Sequence, residues 1–116
     1  MVKFVLLFPK KKGLSHDEFM HQWKDVCVPK VHELPGLRRL VISPVIEQPG
    51  VAEPRYDGIA EWWFDDAAAG KAALNSPQAK AVIEDLPHFV EMDNFILSVT
   101  EEITLIGEAI SASEAA

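Results

Sequence analysis

Val2-Lys3-Phe4-Val5-Leu6-Leu7-Phe8-Pro9 is a β-rich run closed by a proline. Side chains alternate along a strand, so Val2, Phe4, Leu6 and Phe8 share one face while Val5 and Leu7 point to the other. Both faces are apolar. An antiparallel strand with one wet face should instead alternate polar with apolar, so this strand expects cover on two sides. The run Tyr56 to Phe64 reads the same way, since consecutive positions place Trp62 and Trp63 on opposite faces.

Between these two runs the signals change to helix and back. Lys10 to Gly13 is a loop, and Ser15 with Glu18 three residues on makes a capping box. Phe19, Trp23 and Val26 then recur at helical spacing, which predicts an amphipathic helix from about Ser15 to Leu34, kinked at Pro29 and ended by Pro35-Gly36. Leu37 to Glu47 predicts a second strand, and Pro44, which has no N–H to donate, assigns it to a sheet edge. Gln48 to Arg55 holds two prolines and a glycine and reads as an exposed loop.

After Phe64, Asp65 and Asp66 can cap a short Ala-rich helix. Ser76-Pro77 starts another with a cap and an N1 proline, turning Ala79, Val82, Ile83 and Leu86 inward until Pro87. Phe95 to Ile106 predicts a fourth strand, so one domain spans 1–106, and 107–116 forms a small-residue tail expected to fray. The order βαββαβ is that of a ferredoxin-like α+β sandwich, with the first and third strands central and both helices on one face. Two helices cannot cover two apolar faces, so a second copy of the chain is the expected cover and the partner is a homodimer mate.

Composition narrows the function classes. At 116 residues, 48% of them hydrophobic and 25% charged, the chain can build one core without metals or disulfides. A formal charge of −7 opposes nucleic-acid binding, which relies on Lys and Arg to displace counterions, and Lys10-Lys11-Lys12 reads as a solvated loop. No run approaches the roughly 20 apolar residues of a membrane span, and the single cysteine suits a reducing compartment, so the expected location is the cytoplasm. No metal-ligand cluster is apparent.

Cys27 lies about 40° around the helix from Trp23, at roughly 100° per residue, and so borders the inward stripe. It reads either as an inert buried thiol or as a pocket residue. Apolar surroundings near a helix C-terminus would raise its pKa above the usual value of about 8.5, against which Lys30 would act. His21 and His32 project away from the stripe, His16 sits in the first turn, and His88, after Pro87, is the best available base. Trp23, Tyr56, Trp62 and Trp63 could line a cavity for a flat molecule, although core packing explains such aromatics more simply.

Several blocks in order resemble a known family: Leu14-Ser15-His16-Asp17-Glu18-Phe19 with Trp23, Val26 and Pro29, then Leu34-Pro35-Gly36-Leu37, Tyr56-Asp57-Gly58-Ile59-Ala60-Glu61, Asp65-Asp66-Ala67, and Asp85 with Phe89. The chain resembles the EthD-like family of dimeric α+β barrel proteins, named for ethyl tert-butyl ether degradation, and the likeness runs to about Ile106. The resemblance implies a dimeric barrel, no metal or organic cofactor, and relatives that include fungal polyketide-type decarboxylases and dehydratases and methylmuconolactone isomerase. One element departs. The family's His-x-Pro reads Cys27-Val28-Pro29 here, so no histidine carries over to that position.

The resulting expectation is a cofactor-independent enzyme of the lyase or isomerase type, with oxidative degradation open to it. Its substrate would be a hydrophobic aromatic, polyketide-like or lactone molecule. Cys27, His88 and Tyr56 would carry protons, and Trp23, Trp62, Trp63 and Phe89 would contact the substrate. A non-catalytic ligand-binding protein using the same cavity is the alternative, and a haem-binding or oxygen-using barrel is the third.

Overall fold

The computed structural model describes residues 1–108. The expected tail 107–116 therefore falls outside the described residues from 109 onward. Strand β1 (Val2–Phe8) is followed by α1 (His16–Met20), a π-helical stretch (His21–Cys27) and α2 (Val28–Val31). Then come β2 (Arg39–Pro44), β3 (Gly58–Phe64), α3 (Ala67–Leu74), α4 (Pro77–Asp85) and β4 (Ile96–Glu101), with single 3-10 turns at Leu86–His88 and Met92–Asn94. The sheet is antiparallel throughout in the order β2-β3-β1-β4, so the two doubly apolar strands are central and the Pro44 strand is at an edge.

Local chemistry explains where the helices begin. Ser15 Oγ accepts from Glu18 N at 3.1 Å, and Ser15 N donates to Glu18 Oε1 at 2.9 Å, closing the capping box. Asp66 caps α3 by accepting from Ala69 N at 2.7 Å, while Asp65 instead holds Arg38 through two 3.1 Å bonds. Ser76 and Pro77 open α4. The bend expected at Pro29 takes the form of the preceding π-helical stretch, in which Val28 N bonds back to Trp23 O, five residues away. A proline lacks the N–H for a regular turn and its ring crowds the carbonyl four residues earlier, so a widened turn just ahead of it is one way to relieve both.

The helices cover one face. Phe4, Leu6 and Phe8 of β1 and Ala60, Trp62 and Phe64 of β3 join Phe19, Trp23, Cys27, Val82 and Phe89 in a single core. Gly70 and Gly58 permit close approach, since a Cβ would lie 2.4 Å from the Phe4 ring at Gly70, and 2.6 Å from the Phe8 ring and 2.9 Å from Trp23 at Gly58. The opposite face carries Val5, Leu7, Val41, Ile59 and Ile96 among polar neighbours, with no helix over it.

Several expectations differ from the structure: the helical segment ends at Val31 rather than near Leu34, and the second strand covers Arg39–Pro44 rather than Leu37 to Glu47. The fourth strand stops at Glu101 rather than Ile106, because Glu101 pairs with Val2, the first residue of β1, and beyond it no strand remains to pair with. Val82 is buried as expected, whereas its neighbour Ile83 is only half covered. No helix among the described residues is long and apolar enough to cross a membrane.

Candidate functional site

The widened turn after Met20 sets Trp23 and Cys27 against the sheet. Trp23 meets Phe8 edge-on at 5.0 Å between ring centres, and Phe89 meets the same ring at 5.9 Å. Together with Trp62 and Leu86 these residues enclose Cys27, leaving a void of only about 10 Å³. That is room for roughly one water. Burial pushes the Cys27 thiol from its ordinary 9.0 up to about 12, the nearby Asp85 carboxylate adds to the rise, and Lys30 opposes it. At neutral pH the sulfur is therefore a protonated thiol and a poor nucleophile.

Asp85 is the one buried charged residue in the described chain. Its Oδ2 lies 2.6 Å from Lys30 Nζ, linking α4 to α2. Oδ2 is fully enclosed, and Lys30 is the cation that balances its charge there. His88 Nδ1 stands 4.0 Å from the other carboxylate oxygen. The sequence carried a signal for Asp85: it lies three residues after Val82 on the inward stripe, an acidic residue where apolar ones recur.

The larger chamber lies beside this cluster. Between α4 and the β4 side of the sheet, Leu6, Trp62, Val82, Leu86, Phe95 and Leu97 bound a cavity of about 200 Å³ together with Leu34, Leu74, Ala79 and Ile83. Every lining residue is apolar. Leu6, Trp62 and Leu86 also line the Cys27 void, so they form the partition between the two spaces. An apolar cavity of roughly 150 Å³ is enough to take a benzene ring, so this one suits a molecule of one or two fused rings.

The expected site residues divide into two groups. Trp23, Cys27, Trp62 and Phe89 come together on the covered side of the sheet. His88 is largely exposed and faces an outer cleft shared with Leu14, Asp17, Glu18, His21 and Gln22, so it shares no cavity with Cys27. Tyr56 is half-buried in the loop before β3 and lines neither space. Trp63 is on the opposite face, where Lys3 and Arg39 lie over its ring at 5.4 and 4.9 Å and its Nε1 donates to Glu102 Oε2 at 2.7 Å. Among the described residues no group of three or more His, Cys, Asp or Glu could hold a metal ion.

Comparison with known proteins adds the following. The family model described as EthD domain matches residues 11–93. No curated protein matches the sequence. Among solved structures, an ethyl tert-butyl ether degradation (EthD) family protein from Bacillus halodurans superposes with a TM-score of 0.78 at 22% identity, over 89% of this chain and 99% of that one. A dimeric ferredoxin-like protein of unknown function from Bacteroides fragilis gives 0.65 at 17% identity, over 87% and 95%. SnoaB, a cofactor-independent oxygenase from Streptomyces nogalater, gives 0.67 at 17% identity, over 92% and 97%. At these identities the likenesses establish the ferredoxin-like fold.

Proposed function

The chain belongs to the EthD domain family, and from that premise we propose that it is a homodimer whose protomers each hold a small, flat, hydrophobic molecule in the chamber between α4 and the sheet. The observation that carries this reading is the chamber's wall, about 200 Å³ of space bounded by apolar side chains alone. Such a wall selects by shape and by removing water, and it offers an ionic or strongly polar ligand no partner for its charge. Trp62 and Phe95 are the aromatic contacts, with Trp23, Phe89 and Cys27 packed behind Trp62. The dimer rests on the uncovered sheet face, where Val5, Leu7, Val41, Ile59 and Ile96 lie without a helix.

A naphthalene-sized fluorescent probe tests the binding reading. Val82→Trp should fill the chamber and weaken binding by roughly tenfold or more, a difference of about 1.4 kcal/mol, while the fold is kept. Unchanged affinity in a folded variant would overturn the assignment.

A second reading, that the bound molecule is also transformed without a cofactor, draws on Asp85, a buried carboxylate paired with Lys30 and next in sequence to the partition residue Leu86. Cys27, His88 and Tyr56 are the other groups able to carry a proton, but the Cys27 thiol is held protonated at neutral pH and His88 and Tyr56 line neither inner space, so this reading rests on Asp85. Lyase or isomerase chemistry on an aromatic, polyketide-like or lactone substrate fits this reading, as does oxygenation of the kind named for SnoaB. Asp85→Asn should then abolish turnover and leave probe affinity intact.

A further inference from the structure

We infer that the segment after β4 is a clasp, in which Ile103, Leu105 and Ile106 of one copy dock into the groove formed by the β2–β3 loop of a second copy. The inference rests on the homodimer proposed above and specifies how its corners are closed. Ile103 is 71% exposed, Leu105 88% and Ile106 97%, so three large aliphatic side chains within four residues stand in water. The cause is the early end of β4. Glu102 N still bonds to Met1 O at 3.1 Å, and Trp63 Nε1 holds the Glu102 carboxylate on the uncovered side of the sheet, but nothing pairs with the chain beyond.

A second exposed surface with apolar side chains lies in the β2–β3 loop. There, Pro44, Val45, Ile46, Pro49 and Val51, with Ser43, Glu47 and Gln48 among them, make an open groove of about 570 Å³ that runs onto Ile59 of the uncovered face. Ile46 there is 97% exposed. The chain cannot bring Ile103, Leu105 and Ile106 into its own groove. β2 and β4 are opposite edges of the sheet, three strand spacings or about 14 Å apart. The two features also lie at opposite ends of the strands, since Glu101 pairs near the start of β1 whereas Pro44 pairs with Gly58 opposite the end of β1. That adds about 20 Å along the strands, whereas four extended residues reach about 14 Å.

Two-fold symmetry removes the mismatch. Tail and groove sit at diagonally opposite corners of one roughly square face. A two-fold axis lying in the interface along the other diagonal carries each copy's tail corner onto its partner's groove corner, so both pairs close at once. The strands of the two sheets then cross at a steep angle, as in orthogonal packing.

Disulfide trapping tests the contact. Ile46→Cys and Leu105→Cys variants are expressed separately and together, with Cys27 buried and silent in all three preparations. Co-expression should give an oxidised covalent dimer containing one copy of each variant, and neither variant alone should link. In parallel, Leu105→Asp with Ile106→Asp should raise the dimer dissociation constant by roughly tenfold or more. A dimer by light scattering with no mixed disulfide and an unchanged dissociation constant would overturn the clasp and leave the sheet-face dimer standing. A monomer at micromolar concentration would overturn both. A disulfide that forms within a single chain carrying both substitutions would also overturn the clasp, because it would show that the tail reaches its own groove.

Discussion

Trp62 and Trp63 are neighbours in sequence and almost equally buried, at 4% and 5% exposure, yet they are buried by opposite means. Trp62 is enclosed by aliphatic and aromatic side chains on the helix-covered face. Trp63, on the uncovered face, is enclosed by two cations over its ring and a carboxylate on its N–H, and the Lys3 that lies over it also pairs with Glu61 at 2.9 Å. The first arrangement leaves an apolar chamber alongside. The second keeps a polar rim around an apolar centre, which is how a surface prepared for a partner is built.

The two tryptophans should therefore differ on truncation. Trp62→Ala should cost about 3–5 kcal/mol, the usual loss for a large aromatic in a packed core, and should also merge the chamber with the Cys27 void. Trp63→Ala should cost less, about 1–3 kcal/mol, since cation–π contacts at partly exposed sites contribute only about 0.5–1 kcal/mol each. Chemical denaturation of both variants under dimeric conditions compares them directly. Equal losses would break the contrast between the two faces.

Cys27 sharpens the same contrast by pH. Its pKa is raised in the folded chain from the ordinary 9.0 to about 12, so unfolding releases a group that ionises more readily. A raised folded value means the contribution is fully present below pH 9 and is lost as pH climbs from about 9 toward 12. The loss should approach about 1.4 kcal/mol per pH unit within that window. Cys27→Ala carries a constant cavity cost but no such slope, so the stability difference between the two proteins should narrow as pH rises. A difference that stays constant from pH 8 to pH 11 would show that the thiol is not held in dry surroundings.

Much of the fold could be read from short-range rules acting on particular residues. Period-two patterning separated Trp62 from Trp63, Pro44 marked an edge strand, and Ser15-x-x-Glu18 marked a helix start, because each depends only on neighbours in sequence. Contacts between distant elements were less accessible. The end of β4 at Glu101 is set by where β1 begins, nearly a hundred residues earlier, and the apolar run to Ile106 gives no hint of it. The chamber exists because α4 crosses above Phe95 and Leu97, and how far Val82 and Ile83 are each covered depends on that crossing. His88 was a reasonable base by position, yet its outward direction follows from a single 3-10 turn that periodicity does not specify.

Ser15→Ala is the smallest change and touches neither face of the sheet. It removes the Oγ that accepts from Glu18 N and should destabilise the chain by about 1 kcal/mol, seen as a lower melting temperature with the dimer and probe affinity unchanged. The other half of the box responds to acid. The bond from Ser15 N, then the bond to the Ser15 side chain, and a weaker pull from Lys10 hold the Glu18 carboxyl below its usual 4.5. A depressed folded value means that its contribution is present above the unfolded pKa and disappears as pH falls through the lowered one. Glu18→Gln should therefore lose this acid-sensitive increment at every pH, and its deficit relative to the parent protein should shrink below about pH 4. The Ser15→Ala protein should keep the backbone bond to Glu18 and with it most of the acid response. If Ser15→Ala instead altered probe affinity, the first helix would be coupled to the chamber through Trp23 and Cys27, and the two faces of the sheet would no longer be the division that organises this molecule.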